Sequence, residues 1–505
     1  GGTNVAMVTI GTMLATLMQA LDTTIANVAL PYMAGPFSAS YEQVTWVLTS
    51  YIVAAAIMTP PTGWLAARFG RRRLFLVSVL GFTVASALCG LSQSLGQAVI
   101  ARVLQGLLGA ALVPLSQATL LDAYPRERHG QAMAIWGMGI MLGPMLGPIL
   151  GGWLTAHWSW RWVFFINLPI GVVAAMVIGA YVRETGRDGA ERFDFFGFGM
   201  ISLAIACLQL VLDRGEIKDW FASPEIIAAT VVAAVSFYIF LVHIFTAREP
   251  FIRPDLFLNR NFSLGLLFIS IIGLVLYGTV ALWPPLLQDL LDYPVITVGI
   301  LLAPRGVGTM ISMLMVGRLT RMLPARLLML FGFLVNAYAM WGFSQFSLAV
   351  GPRDVFEWGV LQGFGLGFIF VPLTATAFST LPTERRTEAA GIYNLLRNVG
   401  SGIGISIVTA LVDRNTEVNH AAIAAHLSPF NRVLQQPPFA HLYNPHTAHG
   451  LVALNNAVTH QAAMIAYIDD FKLMMVLTLV TAPLVLLMRS PPAAKPGGEA
   501  AAGAE

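Results

Sequence analysis

Charged residues are scarce in this sequence: they make up 11% of its 505 positions, against about 25% in soluble globular domains. Water is therefore not the solvent of this chain. Lysine is rarer still, with Lys218, Lys472 and Lys495 alone, and none stands in a GxxxxGK[ST] loop. A P-loop nucleotide site is excluded as the energy source. The two cysteines, Cys89 and Cys207, each lie inside an apolar run, which argues against a disulfide framework or a cysteine metal site and leaves small packing residues. A basic face is missing too: the net charge of +3 comes from arginines in short clusters between apolar runs, so no nucleic-acid partner is expected. Six of the nine histidines, His420, His426, His441, His446, His449 and His460, gather in one polar stretch without an HExxH-type spacing. No metal or cofactor is expected, and ordinary loop histidines or a proton or metal sensor remain the two readings of that stretch.

What the sequence has is apolar runs, each long enough to cross roughly 30 Å of hydrocarbon as a helix. They cover about 5–30, 44–66, 74–92, 97–121, 131–154, 162–182, 195–212, 224–246, 262–283, 295–317, 325–346, 355–380, 389–412 and 471–488. The runs are continuous rather than alternating, so the fold class is an all-α membrane protein, not a barrel. Arginines concentrate after even-numbered runs: Arg68 and Arg71 to Arg73, Arg126 and Arg128, Arg183, Arg187 and Arg192, Arg248, Arg253 and Arg260, then Arg318, Arg321 and Arg326. The positive-inside rule places both termini in the cytoplasm and the long connection 413–470 outside. The chain opens on Gly1-Gly2 without a recognisable cleavable signal, so a trimmed terminus is expected, with the first span as its own insertion signal.

Compared with itself at an offset of 257, the chain pairs Leu104-Gln105-Gly106 with Leu361-Gln362-Gly363, Glu127-Arg128 with Glu384-Arg385, Gly143 with Gly400 and Gly147 with Gly404. The offset carries the fourth run onto the twelfth, so the copies keep one orientation in the membrane. Such a parallel repeat predicts two six-helix halves with substrate bound between them at mid-depth. The expected division is 1–193 for the first half, 194–260 for two inserted helices, and 261–505 for the second half with a long outer loop at 413–470 and a disordered tail.

Four segments carry chemistry. The first run places Asp22 about two turns from its outer end, and an ionisable group in a span is expensive unless it faces a cavity or a partner. The fourth run holds Arg102 at similar depth, followed by Gln105; a partnership with Asp22 and snorkelling to the headgroups are both open. The fifth run carries Gly139, Gly143-Pro144, Gly147-Pro148 and Gly151-Gly152. Small residues permit close helix approach and the prolines weaken the helix, which suggests a bendable gate. Between the second and third runs, Gly63 to Arg73 forms a tight turn with Arg68, Gly70, Arg71 and Arg72, either topogenic or a shaped latch.

These segments resemble the signature motifs of major facilitator drug:proton antiporters. Trp160 to Gly171, Leu212 to Gly215 and Asp219 to Phe221 resemble the fourteen-span branch of the EmrB and QacA type. The resemblance covers nearly the whole chain and implies the major facilitator fold with about 14 transmembrane helices. It also implies proton coupling through Asp22 and Arg102, an antiporter motif at Gly139, Gly143, Pro144, Gly147, Pro148, Gly151 and Gly152, and a cytoplasmic latch at Gly63, Arg68, Gly70, Arg71 and Arg72. One departure is Ala67, which stands where the family has an acidic residue, so a carboxylate lock is not expected from that position. By position alone, Asn27, Gln105, Tyr393, Asn394 and Arg397 are candidates for the substrate cavity.

The function implied is proton-coupled efflux of amphipathic drugs and other hydrophobic compounds across a bacterial inner membrane, or export of one physiological compound by the same machinery. The partners implied are amphipathic small molecules, protons, the lipid bilayer, a periplasmic membrane-fusion adaptor and an outer-membrane channel. An enzyme would need a convergent nucleophile and base or a metal cluster, which the motifs do not supply. A receptor would need an appended signalling domain, whereas the segment after Arg489 is a short Pro, Ala and Gly stretch.

Overall fold

The structure, a computed structural model, describes residues 4–186, 193–428, 430, 432, 434–437 and 439–488. Arg187, Arg192 and the segment from Arg489 lie outside the described residues. Among those described there is no strand, and 13 helical stretches are long and apolar enough to cross a membrane. The crossings are α1 (Val5–Ala34), α2 (Trp46–Met58, continued by Thr62–Phe69), α3 (Arg71–Leu91), α4 (Leu95–Gly109, continued by Leu112–Ala123), α5 (His129–His157), α6 (Asn167–Tyr181), α7 (Phe195–Arg214), α8 (Pro224–Thr246), α9 (Arg260–Pro285), α10 (Val295–Leu319), α11 (Ala325–Phe343), α12 (Pro352–Phe378), α13 (Arg386–Ala425) and α14 (Ala448–Thr481). The fourteenth crossing is α2, whose pieces are individually short. Pro60 and Pro61 separate them by removing two successive backbone donors.

Packing within the chain repeats. α1 lies on α4, α5 and α6; α4 lies on α2 and α3; α3 lies on α6. Eight crossings later, α9 lies on α12, α13 and α14; α12 lies on α10 and α11; α11 lies on α14. Between the two sets, α5 packs on α10 and α13 on α2, the pairs that a two-fold relation would exchange. α7 and α8 pack on each other, and α7 also lies against α2 and α13, so the inserted pair closes one of those two seams.

Apolar surface is spent in two ways. Leu120, Trp136 and Ile140 of the first set and Phe268 and Phe370 of the second share one buried cluster, where the Trp136 and Phe370 rings stack with centroids 5.7 Å apart. Val77 and Val84 on α3, Tyr238 and Phe245 on α8, and Leu327 and Leu334 on α11 are exposed. Exposed apolar side chains on so many long helices are the surface a bilayer covers, and the chain is a multi-pass membrane protein.

The expected outer loop at 413–470 is corrected by the structure. α13 continues to Ala425 and α14 begins at Ala448, so most of that segment is helix and the connection shrinks to 426–447. Hydropathy ended the crossings too early, because a polar helix continues as well as an apolar one. Ala421, Ala422, Ala424 and Ala425 favour helix, and the extensions support each other: Asn419 Nδ2 donates to the Ala462 carbonyl (3.4 Å), and His420 Nε2 lies 3.0 Å from Asn455 Oδ1.

Candidate functional site

Asp22 and Arg102 meet. α1 and α4 cross where Arg102 Nη1 donates to Asp22 Oδ2 at 2.6 Å, and both side chains are 0% exposed. Gln105, one turn further along α4, donates to Asp22 Oδ1 at 3.0 Å, and Asn167 at the start of α6 donates to the same oxygen at 3.0 Å. Arg102 is itself held in place. Its Nε donates to the Val47 carbonyl (3.0 Å), its Nη1 also reaches Gln105 Oε1 (2.7 Å), and its guanidinium lies 4.1 Å from the Tyr51 ring centroid. The carboxylate thus receives donors from α4 and α6, and Ser86 of α3 orients Asn167 by a 3.0 Å contact. Losing one partner of such a pair strands the other in low dielectric, at a cost of about 3–5 kcal/mol.

α5 grips the helix that carries Asp22. A Cβ at Gly143 would collide with the Ala20 backbone, one at Gly147 with the Thr24 hydroxyl, and one at Gly151 would lie 2.9 Å from Ile25 Cγ1. Thr24 Oγ1 donates across this seam to the Gly143 carbonyl at 3.0 Å. Gly139 faces Met13, whereas Gly152 has open space beside it. The helix passes through Pro144 and Pro148 without a break, so the small-residue face is a close α1–α5 contact of the kind that absent side chains permit.

At the arginine-rich end the two sets are tied together. Gly70 begins the turn into α3 with φ 89°, a conformation that favours glycine, and the Arg71 and Arg72 amides after it donate to Thr185 and Glu184 (3.2 Å each). Arg72 also donates to the Gly179 carbonyl. Arg71 pairs with Asp122 at the end of α4, and the other oxygen of Asp122 accepts from Arg386 of α13 at 2.6 Å. One carboxylate bridges both sets. Gly63 packs on the Glu388 backbone, where a Cβ would come within 2.6 Å, and Arg321 reaches Gln131 at 3.0 Å. Arg68 is exposed on the same turn. The carboxylate at this turn thus comes from α4 rather than from position 67, and the two sets are held closed against each other at this end.

The remaining candidates separate. Asn27 is exposed on α1 with Thr23 and Pro31 on the same face, beyond Asp22 from the closed end. Gln105 belongs to the Asp22 cluster, not to an open cavity. Tyr393 is buried inside the second set, its hydroxyl 3.0 Å from Thr374 Oγ1, and Asn394 donates to Gln117 Oε1 of α4 at 2.8 Å, another link between the sets. Arg397 lies over Trp136, 5.9 Å from the ring centroid. Sequence reasoning missed Asn167 and Asp122. Asn167 offered a faint signal as an amide inside an apolar run ahead of Pro169; Asp122 offered a better one, as an acid five residues before the duplicated Glu127-Arg128.

These features, namely the repeated six-crossing packing, a buried acid–arginine pair in the first set and an arginine turn clamped at the closed end, have a match among known families. Residues 12–405 fit the model of the Major Facilitator Superfamily. The chain belongs to that superfamily. It is 36% identical to the fatty acid resistance protein FarB of Neisseria gonorrhoeae over 97% of each chain. It is 37% identical to the multidrug export protein EmrB of Escherichia coli (strain K12), over 85% of this chain and 84% of that one. Among solved structures, the proton:xylose symporter XylE superposes with a TM-score of 0.60 at 14% identity, covering 95% and 96% of the two chains, a likeness of fold alone. The chain is a transporter of the major facilitator type.

Proposed function

We propose that the protein expels amphipathic, toxic compounds from the cytoplasm by alternating access, driven by inward proton flow, with Asp22 as the proton-coupling group. The observation that carries this reading is the Asp22 carboxylate, buried beside α1's exposed face and held by donors from α4 and α6. A group that must bind and release protons needs neighbours whose positions change with the conformational cycle, and these donors sit on helices that pack directly on α1. The names of FarB and EmrB, which concern fatty acid resistance and multidrug export, support the same class of activity; export of one physiological compound by this machinery is the variant reading. The proposed location is a bacterial inner membrane with both termini in the cytoplasm, which makes the arginine-rich end cytoplasmic and the closed side the inner one.

In this reading the division at 1–193, 194–260 and 261–505 describes two moving halves and an inserted pair. The glycine face of α5 serves as a bearing against α1, and Gly63, Arg68, Gly70, Arg71 and Arg72 form the inner latch. The helical extensions around 413–470 are the proposed contact for a periplasmic adaptor leading to an outer-membrane channel. The test is substrate-induced proton release from the detergent-solubilised protein. Wild type releases protons on adding substrate; equal release from Asp22→Asn would remove Asp22 from the coupling role.

A further inference from the structure

Two arginines of the second set are left without acids. Arg397 lies eleven residues into α13, about 16 Å along that helix at 1.5 Å per residue, and its side chain is largely buried at 7% exposure. Its Nε and Nη1 have no hydrogen-bond partner, and its neighbour is the face of Trp136 on α5 of the other set. Arg305 lies ten residues into α10 from the opposite end, about 15 Å along. Its Nη2 is buried without a partner, and the titratable group that faces it is the Tyr277 phenol, not a carboxylate. Both border one stretch of α9: Arg397 through its carbonyl against Gly273, and Arg305 through Tyr277 one turn along. Asp22, the carboxylate at comparable depth, is already engaged by Arg102.

An unpaired guanidinium at mid-membrane depth is costly, and such residues line cavities or substrate paths. Guanidinium offers a planar fork of donors that matches a carboxylate or sulfonate, while Trp136 stacked on Phe370 supplies apolar surface beside Arg397. We infer that Arg305 and Arg397 form the headgroup subsite for an amphipathic organic anion, a carboxylate or sulfonate on an apolar tail, bound between the two sets of helices. This rests on the transport function proposed above and narrows its substrate class.

The experiment uses the full chain in nanodiscs of zwitterionic lipid and three probes with the same tail: dodecanesulfonate, dodecanol and dodecyltrimethylammonium. The sulfonate is charged at every working pH, so titration does not enter. The expected result is binding of the sulfonate about tenfold or more tighter than of the alcohol, as one charge-assisted contact supplies, with the cation weakest. Arg397→Gln and Arg305→Gln each remove most of that preference while leaving alcohol binding unchanged, and Arg397→Lys restores part of it. Unchanged alcohol binding and melting temperature separate lost recognition from lost folding, and Arg305, being partly exposed, is the safer of the two to alter. Equal affinity for all three probes, a preference for the cation, an undiminished preference in both glutamine variants, or full displacement by equimolar sodium sulfate would each overturn the inference. Efflux of a cationic dye that depends on Asp22, found alongside any of those outcomes, would leave the proposed function standing; absence of both dye efflux and probe binding would overturn the two together.

Discussion

The two sets of six helices share packing but not chemistry. Matched glycines give the alignment: Gly143 and Gly147 touch Ala20 and Thr24, whereas Gly400 and Gly404 touch Ser270 and Leu274. Ile272 therefore stands where the first set has Asp22. In the same way Gly106 abuts the Tyr51 carbonyl and Gly363 that of Arg305, so Arg305 replaces Tyr51, while the repeat offset puts Gly359 at Arg102 and Arg397 at Ile140. One set keeps an arginine sealed against an acid; the other carries two arginines and no acid at these positions. Duplication supplied the bearing surfaces, which depend on small residues and tolerate little change. The polar groups were free to diverge because each replacement leaves the backbone contacts intact, and in the proposed mechanism that separation assigns the proton to one half and the substrate headgroup to the other.

The largest expected effect is at the acid. Asp22→Asn should reduce proton-driven efflux in proteoliposomes to the level of empty vesicles, whereas Ile272→Ala, its counterpart, should lower thermal stability by about 2 kcal/mol or more and leave the number of protons moved per substrate unchanged. Loss of coupling in Ile272→Ala, or retained coupling in Asp22→Asn, would erase the distinction between the sets.

Next come the bearings. Gly147→Leu and Gly404→Leu should both abolish transport in protein that still inserts, because each forces a side chain into a neighbouring backbone or hydroxyl. Pro144 and Pro148 have no proline counterparts, since Ser401 and Ile405 occupy those places. A well-expressed Gly147→Leu variant with wild-type efflux would show that the α1–α5 contact is incidental packing.

A smaller, conformational effect is expected at the bridge between the sets. Asp122→Asn weakens the ion pairs to Arg71 and Arg386; because Asp122 is 19% exposed, the cost is discounted from that of a sealed pair to about 1–2 kcal/mol. Labelling of a cysteine placed at Gln117 from the arginine-rich side should then rise several-fold, and unchanged labelling would mean that Gly63 against Glu388, Arg321 with Gln131 and apolar packing keep that end shut alone.

The architecture was largely legible because lipid imposes it: the crossings, the repeat and the meeting of Asp22 with Arg102 follow from apolar length, residue offset and the cost of buried charge. What stayed hidden obeys other rules. Asn167 is neutral, so no charge marks it in a span. The extensions of α13 and α14 are helices outside the apolar windows, held by alanine content and by each other. Arg305 carried a usable signal, a charge in the middle of an apolar run, masked by the many arginines that cluster between the runs. Asp122 was obscured because the expected lock acid belonged at residue 67, whereas the fold brings a carboxylate from another helix.

The smallest predicted effect lies in the inserted pair, which belongs to neither set. Glu216 follows α7, outside its crossing, and is pushed up to about 7, first by burial and then by the Asp413 carboxyl hydrogen-bonded beside it on α13. Because this value lies above the ordinary one of 4.5, the folded contact favours the protonated acid. Its contribution is complete below the ordinary value and is lost as pH rises through about 7. Protection against hydrogen exchange in the 215–220 turn, taken relative to the intrinsic exchange rate at each pH, should therefore fall between about pH 6 and pH 8, modestly because Glu216 is only partly buried. Glu216→Gln keeps a neutral donor beside Asp413 and should flatten that dependence without altering exchange in α1. If the variant retained the wild-type pH profile, another group would control the turn; if α1 followed the same profile, the inserted pair would be coupled to the proposed proton site of the first set and would not be a separate element.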